Sequence, residues 1–273
     1  MLTLGVLGSG SGGNSFVISN GKTAIAVDAG FSGREQEQRM RQLDLTSGKL
    51  QAVLLTHEHT DHYQGCRVWC DRLGIPLYAS CGTGNYLAGH AKLPRKMVCF
   101  EHDRPFEIGD FLICPFPVPH DACDPVGFSV HCDGVKLGIA TDLGEISPVV
   151  AENLRDCDGL VIECNYEMSR LRDSDRHERL KRRIASRTGH LEINDTKNAL
   201  PQLITDRTHL LLYSHLSCEC NSPELAENSG REALRQLGRT DIVFSVIPQH
   251  RALGKFIFSD GEVAFVEANT DAE

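Results

Sequence analysis

The sequence predicts an α/β protein in which two β-sheets pack together with helices outside, a four-layer αβ/βα sandwich. Three observations predict this fold class. Short apolar runs separated by turn residues fill the first half, strand-like and helix-like patterns alternate in the second half, and strand-like stretches close the chain. With 273 residues, of which 41% are hydrophobic, the chain can bury a substantial core, and we expect residues 1–273 to form one domain.

The first half is predicted to consist mainly of strands, interrupted by two helices. One helical pattern, SGREQEQRMRQLD, begins with a candidate Ser N-cap. The other, DHYQGCRVWCDRLG, spaces Tyr63, Cys66 and Cys70 three and four residues apart and ends at Gly74. The strand-like runs are bounded by Gly, Asn, Asp or Pro, and they are LTLGVLG, SFVIS, TAIAVDAG, AVLLT, PLYAS, KMVCFE, FLICPFPV, GFSVHC and VKLGIATD.

The second half alternates strands and helices. The predicted strands are CDGLVIECN and THLLLYSH, and the predicted helices are ERLKRRIAS, EINDTKNALPQLI and ELAENSGREALRQLG. DIVFSVI and KFIFSDGEVAFVE are the closing strand-like stretches. This order is typical of sheets whose outer faces are covered by helices.

The composition argues against export and membrane insertion. No apolar run approaches the roughly 18 residues of a membrane span, and the start MLTLGVLGSGSGG lacks basic residues before an apolar core, so we expect no signal peptide.

The 11 cysteines are odd in number and include no C-x-x-C pair. We therefore expect reduced, mostly buried thiols in a cytoplasmic protein. The sequence leaves the oligomeric state open.

The charge distribution is uneven. A net charge of −9 argues against a protein that coats nucleic acid with its whole surface. The segment Arg170–Arg187 is the exception, because it contains eight basic and three acidic residues. A surface that faces a partner and an ordinary solvated helix face both account for such a segment.

The stretch LLTHEHTDHYQG crowds candidate metal ligands directly after an apolar run. His57, His59 and Asp61 alternate at a spacing of two, so an extended backbone would point all three to one side. His62 follows and can turn inward as a helix begins. Imidazole and carboxylate groups suit zinc, manganese or iron, and four such donors exceed what one open catalytic metal usually takes. We therefore predict two divalent metal ions.

Three further candidate ligands follow apolar strands. His120 lies in the proline-rich stretch FPVPHDACD, Asp142 ends LGIATDLGE, and His215 ends LLLYSHLS. Asp142 is a carboxylate placed where a bridge between two metals could lie. One such residue alone is more often structural, whereas the repeated pattern together with the dense first cluster predicts metal binding.

The motif THEHTDH resembles the signature of the metallo-β-lactamase superfamily, and the later candidates resemble its later motifs in order. This resemblance implies the αβ/βα fold for nearly the whole chain. It also implies that Asp28, in AIAVDAG, supports the metal-binding loop without binding metal. The implied ligands are His57, His59 and His120 for one metal and Asp61, His62 and His215 for the other, with Asp142 bridging.

The opening LGSGSGGNSFVIS resembles the start of the WalJ (YycJ) subgroup of this superfamily. IECNYE, GHLEINDTK and YSHLSCECNSPELA are similar to later motifs of that subgroup and, more distantly, of ribonuclease Z. The resemblance implies a phosphodiesterase or nuclease, most simply an exonuclease, acting on DNA or RNA. Glu163 and His190 are then expected to handle the proton of the leaving group, and Asp61 is assigned both catalytic and ligand roles.

The basic segment is expected at the mouth of the site because it lies between Glu163 and His190. There it would hold flanking phosphates by charge without reading bases, through Arg179, Lys181, Arg182 and Arg183. Residues 143–214 leave no room for a long capping insertion, which favours an open cleft. Two alternatives remain: a hydrolase of a small substrate such as a cyclic nucleotide, a thioester or a glutathione conjugate, and a non-catalytic binding protein. A non-catalytic binding protein would be marked by replaced metal ligands, and none of the ligand positions is replaced here.

Overall fold

The computed structural model describes residues 1–269, whose strands form two sheets. In chain order the strands are β1 (Leu2–Gly8), β2 (Ser15–Ser19), β3 (Ala24–Val27), β4 (Leu50–Leu54), β5 (Leu77–Ser80), β6 (Met97–Phe100), β7 (Phe106–Ile108), β8 (Phe111–Pro117), β9 (Val126–Cys132), β10 (Val135–Ala140), β11 (Gly159–Glu163), β12 (Leu210–Ser214), β13 (Val243–Val246), β14 (Gly254–Ser259) and β15 (Glu262–Glu267). The first sheet has the order β15-β14-β1-β2-β3-β4-β5-β6, and the second has the order β13-β12-β11-β10-β9-β8-β7.

Helices cover the outer face of each sheet. They are α1 (Gly33–Gln42), α2 (Thr60–Tyr63), α3 (Cys66–Leu73), α4 (Cys81–Gly89), α5 (Pro148–Leu154), α6 (Met168–Asp173), α7 (Glu178–Ile184), α8 (Ile193–Leu203) and α9 (Pro223–Gln236), and a 3-10 turn spans Ser47–Lys49. α1, α3 and α4 contact the first sheet, whereas α5 and α9 contact the second. The predicted four-layer αβ/βα sandwich is confirmed.

The two sheets share one buried apolar layer. Leu4 and Phe16 of the first sheet and Phe128 and Val130 of the second are fully buried in the same cluster. Burying a side chain of this size stabilises the fold by roughly 1.5–3 kcal/mol. Separate apolar layers lie between each sheet and its helices, so most strands are buried on both faces. This explains why many strands have continuous rather than alternating hydrophobic sequences.

Parallel pairing brings the candidate site together. β10, β11 and β12 are parallel neighbours, and so are β3, β4 and β5. Because the carboxyl ends of parallel strands meet at one edge of a sheet, residues that follow them in sequence become neighbours in space. Asp142, Glu163 and His215 are separated along the chain but come from adjacent strand ends of the second sheet.

Some local predictions are wrong. The helix predicted over residues 61–74 is two helices, α2 and α3, with a break at Gln64 and Gly65. A Cβ at Gly65 would lie 2.0 Å from the Phe31 carbonyl oxygen, so the break is fixed by a close backbone contact. α4, α5 and α6 were not predicted. KFIFSDGEVAFVE forms a hairpin, β14 and β15, whose turn is at Asp260 and Gly261.

The cysteines were expected to be reduced and mostly buried. All 11 are free thiols, of which six are buried, one is intermediate and four are exposed (Cys81, Cys99, Cys123 and Cys218). Separately, none of the helices in residues 1–269 combines the length and apolar character needed to cross a bilayer.

Candidate metal centre and active site

The loop after β4 carries the densest group of predicted ligands. The chain leaves the strand at Leu54, and His59 already caps α2, which begins at Thr60. Asp61 therefore lies in the first helical turn, and the prediction that His57, His59 and Asp61 share one face of an extended segment is wrong. The helical turn separates Asp61 and His62 from the first two histidines, which places them in a second group of donors.

The first group contains three histidines. His57 Nε2 lies 3.1 Å from His59 Nδ1, which lies 3.3 Å from His120 Nε2. Three nitrogens this close cannot all be satisfied as hydrogen-bond partners of one another. Tetrahedral ligands at zinc–nitrogen distances of about 2.0–2.1 Å are themselves about 3.3 Å apart, so this spacing fits a shared divalent ion.

The second group contains Asp61, His62 and His215. Asp61 Oδ2 lies 3.2 Å from His215 Nε2 and 3.5 Å from His62 Nε2. These three ligand atoms also lie close enough together to hold one ion. Asp61 is partly open to the cleft, whereas both histidine rings are buried.

Asp142 lies between the two groups. Its Oδ2 is 3.0 Å from His62 Nε2, and its Oδ1 is 3.9 Å from His120 Nε2. The Oδ2 atom is buried and has no well-formed hydrogen bond. A buried carboxylate oxygen without a hydrogen bond is costly unless another ligand satisfies it, which is consistent with a metal-binding role.

Hydrogen bonds at the opposite ring nitrogens orient these histidines. His57 Nδ1 contacts Thr56 Oγ1 at 3.0 Å, His62 Nδ1 contacts Asp28 Oδ2 at 2.7 Å, and His120 Nδ1 contacts the Gly189 carbonyl at 3.0 Å. Each contact uses Nδ1–H as the donor, so in the neutral form of each ring Nε2 is the atom available to a metal. Burial and the neighbouring histidines also hold the pKa of His57 well below its ordinary value, so this ring is neutral.

Asp28 lies behind the loop that carries His57 and His62. It is buried, it has a left-handed backbone with φ of 58°, and its Oδ1 accepts the Thr56 backbone N–H at 2.8 Å. Thr56 Oγ1 donates to the same carboxylate and accepts from His57. One carboxylate therefore orients a histidine in each group.

Glu163 joins two further histidines. Its Oε1 lies 2.7 Å from His190 Nδ1 and 2.9 Å from His215 Nδ1, and its Oε2 accepts the Leu143 N–H at 2.8 Å. Burial opposes the charged form of His190, but the Glu163 carboxylate outweighs it and raises the pKa of His190 above its ordinary value. His190 is only partly buried and lines the cleft, and its hydrogen bond within residues 1–269 is made through Nδ1.

Two residues that the sequence analysis missed support the cluster. Asn14 is buried, and its Nδ2 lies 2.9 Å from His62 Nε2 and 3.4 Å from Asp61 Oδ2. Glu58, also buried, accepts the Cys123 backbone N–H at 2.8 Å and so ties the His120 loop to the loop after β4. Two sequence features could have identified these residues. Asn14 follows a glycine-rich stretch, and Glu58 lies between two predicted ligands.

The predicted substrate-binding residues divide into two sets. Arg183 lines the cleft and forms an ion pair with Asp121, the neighbour of His120. Lys181 contacts the Arg172 carbonyl at 2.6 Å and Glu178 at 3.3 Å. Arg179 and Arg182 are exposed, and neither they nor Lys181 belong to the cleft lining formed by residues 1–269. Arg176, which was not singled out, does line the cleft and pairs with Glu219 at 2.8 Å.

The fold and the donor cluster together define a class, the metal-dependent hydrolases built on the αβ/βα sandwich. Residues 23–213 match the family model described as a β-lactamase superfamily domain, and the chain belongs to this superfamily. The family and the clustered histidines and aspartates imply that the protein binds divalent metal.

The chain is similar to curated and solved proteins over most of its length. It is 32% identical to the exodeoxyribonuclease YycJ of Bacillus anthracis, covering 87% of this chain and 90% of the relative. It is 34% identical to the exodeoxyribonuclease WalJ of Streptococcus pneumoniae, covering 87% and 88% respectively. The metallo-β-lactamase fold protein YhfI from Bacillus subtilis superposes with a TM-score of 0.67 at 15% identity, covering 92% and 97%, which shows a shared fold.

Proposed function

We propose that this protein is a binuclear metal-dependent phosphodiesterase, an exonuclease that acts on DNA. The observation that carries the proposal is the position of Asp142 among both trios of donors. Its Oδ2 lies 3.0 Å from His62 Nε2, and its Oδ1 lies 3.0 Å from His215 Nδ1 and 3.9 Å from His120 Nε2. Two relatives that match across most of the chain are named exodeoxyribonucleases, which favours DNA over RNA and over small phosphodiesters.

The donors divide between two ions of zinc, manganese or iron. His57, His59 and His120 would hold one, and Asp61, His62 and His215 would hold the other. Asp142, which contacts members of both trios, would be the carboxylate shared between them. Such a pair, when bound, makes water acidic enough to ionise near neutral pH and offsets charge on the phosphoryl oxygens.

The protein's own groups complete the reaction. His190 holds a proton at Nε2, which faces the cleft, and donates it to the departing oxygen of the phosphodiester. Glu163 keeps the ring oriented and favours its protonated form. Asp61 lines the cleft, and its carboxylate would ligate a bound metal and orient a water for attack.

Arg183 and Arg176 provide the phosphate contacts closest to the metals. Both lie on the cleft wall, and both are paired with carboxylates that a nucleic-acid phosphate can replace. Arg179, Lys181 and Arg182 extend the basic surface outward, where they attract the backbone by charge.

We also propose that residues 1–273 form one domain in the cytoplasm. The apolar layer shared by both sheets supports a single domain, because neither sheet buries its inner face without the other. Eleven free thiols support a reducing compartment.

A metal-reconstituted assay tests the proposal. Protein loaded with Zn²⁺, Mn²⁺ or Fe²⁺ is incubated with end-labelled DNA, matched RNA, a cyclic nucleotide and a thioester, and metal content is measured on the same samples. We expect mononucleotides to be released from DNA ends only when metal is bound. Turnover of the cyclic nucleotide or thioester with intact DNA would instead identify a small-substrate hydrolase.

A further inference from the structure

We propose that Leu180 and Ile184 form a contact surface for one nucleobase of the substrate, so that Leu180 is a specificity-determining residue. This inference rests on the proposed nuclease function. In the proposed function, the basic segment contacts only the phosphates of the substrate. The inference adds a contact between this segment and a base.

The cleft wall contains an apolar strip in an otherwise polar lining. Leu180 and Ile184 are four residues apart on α7 and therefore share one helix face. The cleft lining in residues 1–269 contains these two apolar side chains, a glycine and nine polar or charged residues. Ile184 is 7% exposed, whereas Leu180 is 37% exposed.

Leu180 retains exposed apolar surface at the cleft. It is 37% exposed and lines the cleft, and the buried hydrophobic clusters formed by residues 1–269 include Ile184 but not Leu180. Burial of its exposed part against a ligand would be favourable. An isolated exposed leucine elsewhere on a protein would need no explanation, but this one shares the cleft lining with the proposed ligands His59 and Asp61.

The surrounding charges identify the occupant. Arg176 and Arg183 line the same cleft as Leu180 and flank it in the sequence, and the segment that contains all three is strongly basic. A ligand that offers an apolar face between two anionic groups complements this pattern. A nucleotide does so, because its flat base lies between neighbouring backbone phosphates.

The state of the base matters for this contact. The cleft has a volume of about 190 Å³. A base that is already unpaired reaches a protein surface at the smallest energetic cost, so the contact is best examined on single-stranded DNA.

A substrate-by-enzyme cycle tests the proposal. One single-stranded oligodeoxynucleotide has normal bases throughout, and a second has abasic residues at both terminal positions. We measure kcat/KM for the first released nucleotide with the wild-type protein and with Leu180→Ala. For the wild-type protein, we expect the abasic ends to react about tenfold more slowly. In Leu180→Ala, this difference should shrink to about twofold or less, because the contact is already lost.

Two variants serve as controls. Leu180→Phe retains an apolar face and should preserve the preference for the normal end. Val68→Ala truncates another exposed apolar side chain, 59% exposed on α3 and outside the cleft lining, and should leave both rates unchanged.

The outcomes separate this inference from the proposed function. If the wild-type protein cleaves neither oligonucleotide with any metal, the nuclease proposal fails and the base contact fails with it. If the wild-type protein cleaves DNA but Leu180→Ala slows both substrates equally, or slows neither, the nuclease proposal stands and the base contact is wrong.

Discussion

The donor cluster and the basic segment Arg170–Arg187 both contribute to the same cleft but are built in opposite ways. Most of the proposed ligands are buried, and several are oriented by a second hydrogen bond, as His62 is by Asp28. In the basic segment, Arg183 and Arg176 are held by surface carboxylates. Exposed ion pairs of this kind contribute about 0–1 kcal/mol, so a competing phosphate can replace them easily.

This difference separates chemistry from substrate choice. The cluster depends on parallel strand ends and on buried carboxylates, which cannot change without disturbing the fold. The basic segment consists of short helices whose charged side chains can be replaced at little cost to stability. Changes in the cluster should therefore affect turnover, and changes in the segment should affect recognition.

The largest effect is expected for Asp142→Ala. Removing the carboxylate that faces both donor groups should lower kcat by about 10³-fold or more and reduce bound metal. The matched control is Asp103→Ala, which removes an exposed carboxylate outside the cleft lining formed by residues 1–269. This variant should retain full activity. Wild-type turnover in Asp142→Ala would show that the cluster is not the reaction centre.

Smaller losses of activity are expected for variants of His190 and Glu163, and metal content should distinguish the two. His190→Ala removes only the proposed proton donor, so kcat should fall about 10²- to 10³-fold while metal content stays unchanged. Glu163→Gln also disturbs His215 and should lower both kcat and metal affinity. Metal loss in His190→Ala would instead make that residue part of the metal-binding cluster.

The smallest effect is expected in the basic segment. Arg176→Ala with Arg183→Ala should raise KM for DNA about tenfold and reduce the salt dependence of binding by roughly two counterions, with metal content unchanged. Arg179→Ala with Arg182→Ala removes the same charge outside the cleft and should have a weaker effect. Equal effects of the two pairs would mean that charge alone, rather than position in the cleft, determines binding.

That the candidate ligands cluster in space could be predicted because each depends on a local pattern. His57 to His62 are contiguous, and Asp142 and His215 follow apolar strands whose parallel pairing brings them together. The fold class followed from the order of strands and helices. These features require no knowledge of long-range side-chain contacts.

The features that were missed depend on tertiary contacts. The break at Gly65 follows from its approach to the Phe31 carbonyl, which no local pattern reveals. α4 has the sequence CGTGNYLAG, whose glycines disfavour a helix, yet packing against β5 and β6 keeps it helical. In the basic segment, composition predicted the charge but not which side chains line the cleft. Arg179 was therefore named as a substrate-binding residue, whereas Arg176 was not.

The number of metal ions bound per chain tests the central claim most directly. Protein saturated with Zn²⁺ or Mn²⁺ and freed of excess ion is measured by elemental analysis together with its DNA cleavage rate. Two ions per chain, with activity rising as the second is bound, is the predicted result, since each donor trio could hold one ion. Full activity with a single ion per chain would contradict the binuclear site and the bridging role of Asp142.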